Sequence, residues 1–337
     1  MSTNHFLGLL ECWGPTSTQG RDCTLKEARD YCRGLARAHY ENFTVASLLL
    51  PRRLRTHFTS VYAYCRWADD LADEIEDRRE SLALLDWWEE QLRDCYRGVA
   101  KHPVFVALAE TIACFQIPIE PFLDLLSAFR QDRVKSRYDS YDELADYCRR
   151  SANPVGRIIL HLAGCHEARQ AELADDVCIG LQLANFCQDV AGDYKRGRVY
   201  LPRETLDRFD CPVSALGETT ASGALRDVLE FEVDRAREHL LAGRPLVPLM
   251  PRRMRLDVAL FISGGMSILA KIRAANYDVL QQRPTLSRGE KARLLLSGCW
   301  QAWGFGAARR SAAVTQGLPC KTAASHGKRA LSRATRG

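Results

Sequence analysis

Between Val177 and Asp193 the sequence reads as a long apolar helix that is interrupted by polar residues at helical spacing, and this interruption limits what the chain can become. Val177, Ile179, Leu181, Leu183, Ala184, Phe186 and Val190 would fill most of its surface. Asn185, Asp189 and Asp193, spaced four and four, fall on one face, with Gln182 one turn earlier on nearly the same face. Polar side chains in so apolar a helix are costly unless they are paired or bind something. Two explanations stand: neighbouring helices satisfy these groups, or a bound group does.

A second acidic stripe precedes it. On a helix, Tyr62, Arg66, Asp69 and Asp73 line up at offsets of four, three and four, with Asp70 and Glu74 on an adjoining row. Asp69 and Asp73 would repel each other unless a cation lay between them. Hard cations such as Mg²⁺ take oxygen ligands and retain waters, so paired helix carboxylates together with substrate phosphates suit them. Arg66 could grip a phosphate oxygen directly. The alternative is a solvated acidic face. Two such stripes on separate long helices, able to face each other, would form a multi-metal diphosphate clamp, with Asp69, Asp73, Asn185, Asp189 and Asp193 as ligands. The following run, Tyr194 to Pro202, carries Lys195, Arg196 and Arg198 with Tyr200. It would either fold over a bound diphosphate as a lid or simply cap the helix.

The rest of the chain supports an all-α fold, a helical bundle around a central cavity. Thr24 to Glu27, Ser140 to Glu143 and Ser287 to Glu290 are capping-box patterns. Helices are expected at about 25–38, 52–75, 81–97, 103–116, 121–136, 141–152, 155–166, 169–195, 221–242, 252–280 and 288–298. Gly98 and Gly197 stand where helix C-caps would, and Pro51, Pro103, Pro121 and Pro154 stand near helix starts. No alternating strand pattern or internal repeat is evident. The expected layout is an N-terminal extension (1–24), one helical domain (25–298) and a basic tail (299–337).

Charge and cysteine usage narrow the function classes. The net charge is +5, but Ser297 to Gly337 holds two Lys, five Arg and no acid, so the remaining residues sum to −2. A nearly neutral body gives no reason to expect a nucleic-acid partner. The tail reads as disordered and solvated, with contact to anionic lipid as the alternative. The thirteen cysteines form no Cys-x-x-Cys pair; residues such as Cys114, Cys165 and Cys187 read as small buried hydrophobes in a reducing cytoplasm. His161, Cys165 and His166 lack a second ligand pair for zinc. The N-terminal apolar run is a poor secretion signal, and no apolar stretch reaches the roughly 18 residues a spanning helix needs.

The two stripes, with Arg198-Val199-Tyr200-Leu201-Pro202 after the second, resemble the paired motifs of the squalene/phytoene synthase family over roughly residues 25–296. That family joins two prenyl diphosphates head to head, so the resemblance implies an isoprenoid-synthase-type bundle with Mg²⁺ (or Mn²⁺). Within it, His39-Tyr40-Glu41-Asn42-Phe43, Phe129 to Asp132, Ser151 to Arg157 and Asn185 to Val190 look most like the bacterial hydroxysqualene synthases of hopanoid pathways. Such enzymes convert presqualene diphosphate and water to hydroxysqualene and diphosphate, downstream of a presqualene diphosphate synthase as functional partner. The resemblance implies catalytic roles for Tyr62, Arg66, Asp69, Asp73, Asp189 and Asp193, and substrate contacts from Tyr40, Asn42, Asp70, Asn153, Gln182, Gln188, Arg198 and Tyr200. Carotenoid-type members commonly have serines where Tyr40 and Asn42 stand, arginine where Gln188 stands, and in some cases a tyrosine near Gly264-Gly265. With no Gly-x-Gly-x-x-Gly fingerprint, NADPH is not expected. The rival readings are a squalene or phytoene synthase that performs the condensation, a non-catalytic assembly factor on this fold, and a lipid-binding protein that only holds prenyl chains. The expected location is cytoplasmic, with peripheral contact at the inner face of the membrane.

Overall fold

A computed structural model describes residues 3–17, 22–38, 52–287, 289–291 and 293–294. Its elements are α1 (Thr3–Trp13), α2 (Leu25–Ala38), α3 (Arg52–Asp73), α4 (Arg78–Tyr96), α5 (Pro103–Phe115), α6 (Glu120–Asp132), α7 (Tyr141–Ser151), α8 (Asn153–Ala163), α9 (Ala168–Gln188), α10 (Val190–Lys195), α11 (Arg203–Arg208), a 3₁₀ turn (Val213–Gly217), α12 (Gly223–Gly243), α13 (Leu246–Leu249) and α14 (Arg252–Ala274). Among the described residues there is no strand, only an isolated parallel bridge between Arg137 and Val199. The all-α expectation holds.

Helix α9 is the central element. It runs antiparallel to α12, and glycines bring the two backbones together: a Cβ on Gly180 would lie 2.9 Å from the Leu240 nitrogen and 3.0 Å from the Ala236 oxygen. Gly243 approaches the Leu173 carbonyl in the same way, and Gly265 of α14 meets Leu181 and Leu240. Direct backbone approach of this kind increases buried area between helices but leaves no room for a side chain.

Helix α3 is held by aromatics on the face away from its acids. Tyr64 and Trp67 are fully buried. Trp67 stacks on Trp88 at 5.2 Å and 10°, and its indole N–H donates to Tyr31 at 3.0 Å. The Tyr64 hydroxyl donates to the Phe122 carbonyl at 2.9 Å. These contacts fix the rotation of α3 about its axis and therefore the direction its acidic stripe faces.

Caps follow the sequence closely. Thr24 and Glu27 form a reciprocal box, as do Ser287 and Glu290. Ser140 caps Glu143 N–H, but the Glu143 carboxylate turns to the Asp139 N–H at 2.7 Å and to Lys135, so that box is only half made. Gly98 and Gly197 adopt φ of 82° and 77°, as C-terminal caps require.

Three features differ from expectation. The expected N-terminal extension contains a helix that was not foreseen: α1 seats Phe6 in the core, edge-on to Trp67 at 5.3 Å. The expected helix 169–195 is broken at Asp189, whose φ −105° and ψ 12° leave the helical region. Cys114 is exposed, whereas Cys187 is buried and Cys165 partly so. Pro51 and the tail from 301 onward lie outside the described residues, as does most of the expected helix 288–298.

The α9–α12 contact yields a direct expectation. Gly180→Ala should destabilise the protein by about 1–3 kcal/mol through overpacking. Gly264→Ala, where a Cβ would meet nothing within 4 Å, should be neutral or stabilising by about 0.4–1 kcal/mol. Urea unfolding of the two variants beside the parent measures both; equal midpoints would refute the close-approach account.

Candidate active site

The acidic stripe of α3 and the polar stripe of α9–α10 both end at the same side of the bundle, where arginines from separate parts of the chain neutralise them. Arg66 donates from Nη1 to Asp69 at 3.0 Å and from Nε to Asp70 at 3.1 Å, with Nη2 on the other Asp70 oxygen. Asp70 is 1 % exposed. It serves as the buried anchor of Arg66. Asp69 remains half-buried and Asp73 is exposed.

Arg198 reaches across from the segment after α10 and donates to Asp73 at 2.6 Å. Its charge also acts on Asp69, Asp132 and Asp193, so this one guanidinium joins the two stripes. The segment that carries it is tied down rather than free. Val199 N–H donates to the Ser136 carbonyl at 2.8 Å, and Tyr200 donates to Asp132 at 3.3 Å while its ring stacks on Phe186 at 4.1 Å. Of the two readings of residues 194–202, the structure supports a fixed strap. Tyr200 is engaged by Asp132 and Phe186.

On the second stripe, Asp189 is held by Arg283, whose Nη2 lies 2.9 Å away while Nε contacts the other oxygen. Arg283 belongs to the segment that follows α14, and Gln188 donates to the carbonyl of its neighbour Pro284. Gln188 is buried and fastens this segment. Asp193 has Arg196 at 3.8 Å. Asn185 is exposed and Gln182 half-buried. Asn153 is 1 % exposed, with its Oδ1 lacking a partner; it starts α8, away from the arginine–carboxylate pairs. Tyr62 is half-buried, one turn from Arg66. Tyr40 and Asn42 lie outside the described residues.

Crowding of like charges shows in proton affinity. Burial, and then the Asp73 carboxylate, pushes Asp69 up to about 6. Burial and the Asp189 carboxylate do the same to Asp193. Asp132 also rises to about 6, chiefly by burial, despite accepting from Tyr147 at 2.8 Å. These are oxygen donors that need positive charge, which fits a hard divalent cation. Among the described residues no group of three or more His, Cys, Asp or Glu converges as a closed metal site; arginines stand between the carboxylates. His161 and His166 stack at 4.2 Å and 11° without forming such a group.

Sequence reasoning assigned no role to Asp132, Tyr147 or Arg283. Asp132 ends α6, where nothing in local spacing relates it to Tyr200. Arg283 sits 94 residues from the aspartate it holds, with no motif around it.

Comparison with known proteins places most of the chain within one family model. The family model described as squalene/phytoene synthase matches residues 36–290. A hydroxysqualene synthase of Rhodopseudomonas palustris is 39% identical over 222 residues, covering 65% of this chain and 75% of the relative. A 15-cis-phytoene synthase of Synechocystis sp. is 31% identical over 299 residues, covering 84% and 88%. Among solved structures, a squalene synthase of Alicyclobacillus acidocaldarius superposes with TM-score 0.72 at 44% identity, covering 75% of this chain and 95% of that one. A ligand complex of a dehydrosqualene synthase gives TM-score 0.77 at 27% identity, covering 83% and 98%.

The raised proton affinity of Asp193 has a measurable consequence. Its pKa in the folded protein is about 6, against an ordinary 3.8. The cost of its charge is therefore fully present above pH 6 and is relieved as pH falls toward the ordinary value. In metal-free protein, Asp193→Asn should raise stability at pH 8 by about 1–3 kcal/mol. The gain should shrink through pH 6 and vanish near pH 4. A gain that does not depend on pH in denaturant titrations would contradict this account.

Proposed function

The chain belongs to the squalene/phytoene synthase family, and from that premise we propose that it converts presqualene diphosphate and water to hydroxysqualene and diphosphate. The observation that carries this reading is at Gln188. This neutral side chain is buried and committed to the Pro284 carbonyl, so position 188 adds no cation to the second stripe, where Arg283 pairs with Asp189 and Arg196 stands 3.8 Å from Asp193. Condensing two prenyl diphosphates requires two highly anionic head groups to share a site, whose repulsion must be offset by metal and fixed cations. A substrate with one diphosphate needs less. The likeness to the Rhodopseudomonas hydroxysqualene synthase supports the same reading.

In this proposal Asp69, Asp73, Asn185, Asp189 and Asp193 would hold Mg²⁺, directly or through water. Bound there, the metal would neutralise the departing diphosphate as a Lewis acid. Arg66, Arg198 and Arg283, now paired with these carboxylates, would turn to the phosphate oxygens as the carboxylates take up the metal. Part of the hydrocarbon would lie in the apolar cavity of about 150 Å³ bounded by Phe58, Ile159, Val177, Leu181 and Val258. Such walls exclude bulk water while the cyclopropylcarbinyl cation rearranges. One water must still reach the final cation: its oxygen bonds to carbon and its proton is released. Of the polar groups suited to hold it, Asn153 has a buried Oδ1 without a partner, on the helix that lines the cavity through Val155 and Ile159. Tyr40 and Asn42 are the other two.

The second reading, head-to-head condensation to squalene or phytoene, draws on phytoene synthases that match a larger share of the chain than the hydroxysqualene synthase does. Product analysis separates the two. Purified protein should release diphosphate from presqualene diphosphate and form hydroxysqualene, with or without NADPH, far faster than it consumes farnesyl diphosphate. Efficient formation of presqualene diphosphate, squalene or phytoene from simple prenyl diphosphates would favour the condensation.

Asp69→Asn or Asp189→Asn should lower turnover about 100-fold or more, equivalent to at least about 2.7 kcal/mol of transition-state stabilisation, with helical signal unchanged. Chelation should abolish turnover and added Mg²⁺ restore it. Near-normal turnover in either variant, or full activity in excess chelator after dialysis, would remove the metal clamp from the account.

A further inference from the structure

At the end of the bundle remote from the carboxylates, the apolar cavity opens beside α13. Along α9, Leu181 and Ala174 line it; at 1.5 Å per residue these lie about 12 and 22 Å from Asp189. On the other side of α13, Leu241, Arg244, Val247 and Ile262 line a second groove. The surface around these two openings is unusual for this protein. Val155, Leu241, Leu249 and Phe261 are 37–43 % exposed and make up half of the large apolar side chains exposed among the described residues.

The exposed charges that α13 and its flanking segments bring to them have one sign. From Leu240 to Tyr277 the only acid is Asp257, which is buried at 4 % exposure. The same stretch carries six cations. Arg255 is buried, and Lys271 and Arg273 pair with Glu290 and Asp234. The remaining three, Arg244, Arg252 and Arg253, are exposed and flank α13 on both sides. Arg253 also donates to the Ala163 carbonyl at 3.1 Å, which fixes the start of α14 against the end of α8.

We propose that this face, with Leu241, Leu249 and Phe261 projecting and Arg244 and Arg252 beside them, docks on an anionic lipid bilayer and places the mouth of the apolar cavity against the acyl chains. Apolar side chains ringed by arginines match the interfacial layer of such a membrane, where each cation near anionic headgroups contributes to binding and apolar groups enter the acyl boundary. An exposed apolar cluster of this kind marks an interaction surface; the three exposed arginines around α13 outweigh the exposed Glu238 one turn before Leu241 and select a negatively charged partner. The purpose rests on the reading above, since a thirty-carbon product leaves an apolar cavity for lipid more readily than for water. The surface itself does not rest on it.

The test is co-sedimentation of the full chain with phosphatidylcholine vesicles containing about one-third phosphatidylglycerol. The parent should bind these and bind pure phosphatidylcholine more weakly. Leu249→Ser combined with Arg252→Glu should lower the partition coefficient about 10-fold or more, and Arg244→Glu with Leu241→Ser should do so independently. Both double variants should retain diphosphate release on detergent-dispersed substrate, an assay that judges the enzymatic reading separately from the docking. Parental vesicle binding in both variants would overturn the proposal, as would a loss of binding seen only on deletion of 302–337. Self-association in the absence of lipid that the same substitutions abolish would assign the face to a second copy and overturn it equally.

Discussion

Carboxylates gathered at one end of a helical bundle repel each other, and the structure of this site is governed by how that repulsion is met. Three arginines from three places in the chain do so: Arg66 within α3, Arg198 on the strap after α10, and Arg283 on the segment after α14. Where their charge falls short, proton affinity rises, as at Asp69 and Asp193. In the proposed function such a site would have two ways to be neutral, with arginines on the carboxylates or with metal on the carboxylates and arginines on phosphate. Both keep every buried charge partnered, as a low-dielectric site demands.

The neutralisation works only because the helices are held rigidly behind it. The Tyr64, Trp67 and Trp88 cluster fixes α3, and glycine contacts fix α9 against α12 and α14. Between them the ring stack of Tyr138, Tyr147, Phe186 and Tyr200 and the hydrogen bonds to Asp132 seat the strap. Rings and carboxylate together place Arg198 where it meets Asp73, so a packed aromatic layer sets the electrostatics of the site. Charged groups held this way lose little entropy when a substrate binds, which is the advantage of preorganisation.

The two ends of the bundle therefore differ in kind. One is charged and crosslinked by ion pairs; the other is apolar and opens beside α13. A substrate with an anionic head and a hydrocarbon body is oriented by that polarity before any specific contact is made.

Much of this was legible in the sequence. Period-3.6 patterning and capping residues located most helices, and the four-residue spacing of Asp69 with Asp73 and of Asn185, Asp189 and Asp193 located both polar stripes, because helical geometry is local and repeats within a few residues. What local spacing could not convey is which cation meets which acid. Arg283 and Asp189 are far apart in sequence, and Asp132 meets Tyr200 only because the strap passes over α6. The tertiary structure likewise decided that Asp70 is an anchor, that Gln188 is a fastening, and that α1 belongs to the core, since each depends on what arrives from a distant segment. It also revealed the break at Asp189: the sequence carries an unbroken helical pattern there, and at the turn out of helix the segment after α14 is fastened through Gln188 and Arg283. The sequence by itself determined the helices and the chemistry they carry; pairing across long separations in the chain, which depends on the packed arrangement of all the helices together, belonged to the tertiary structure alone.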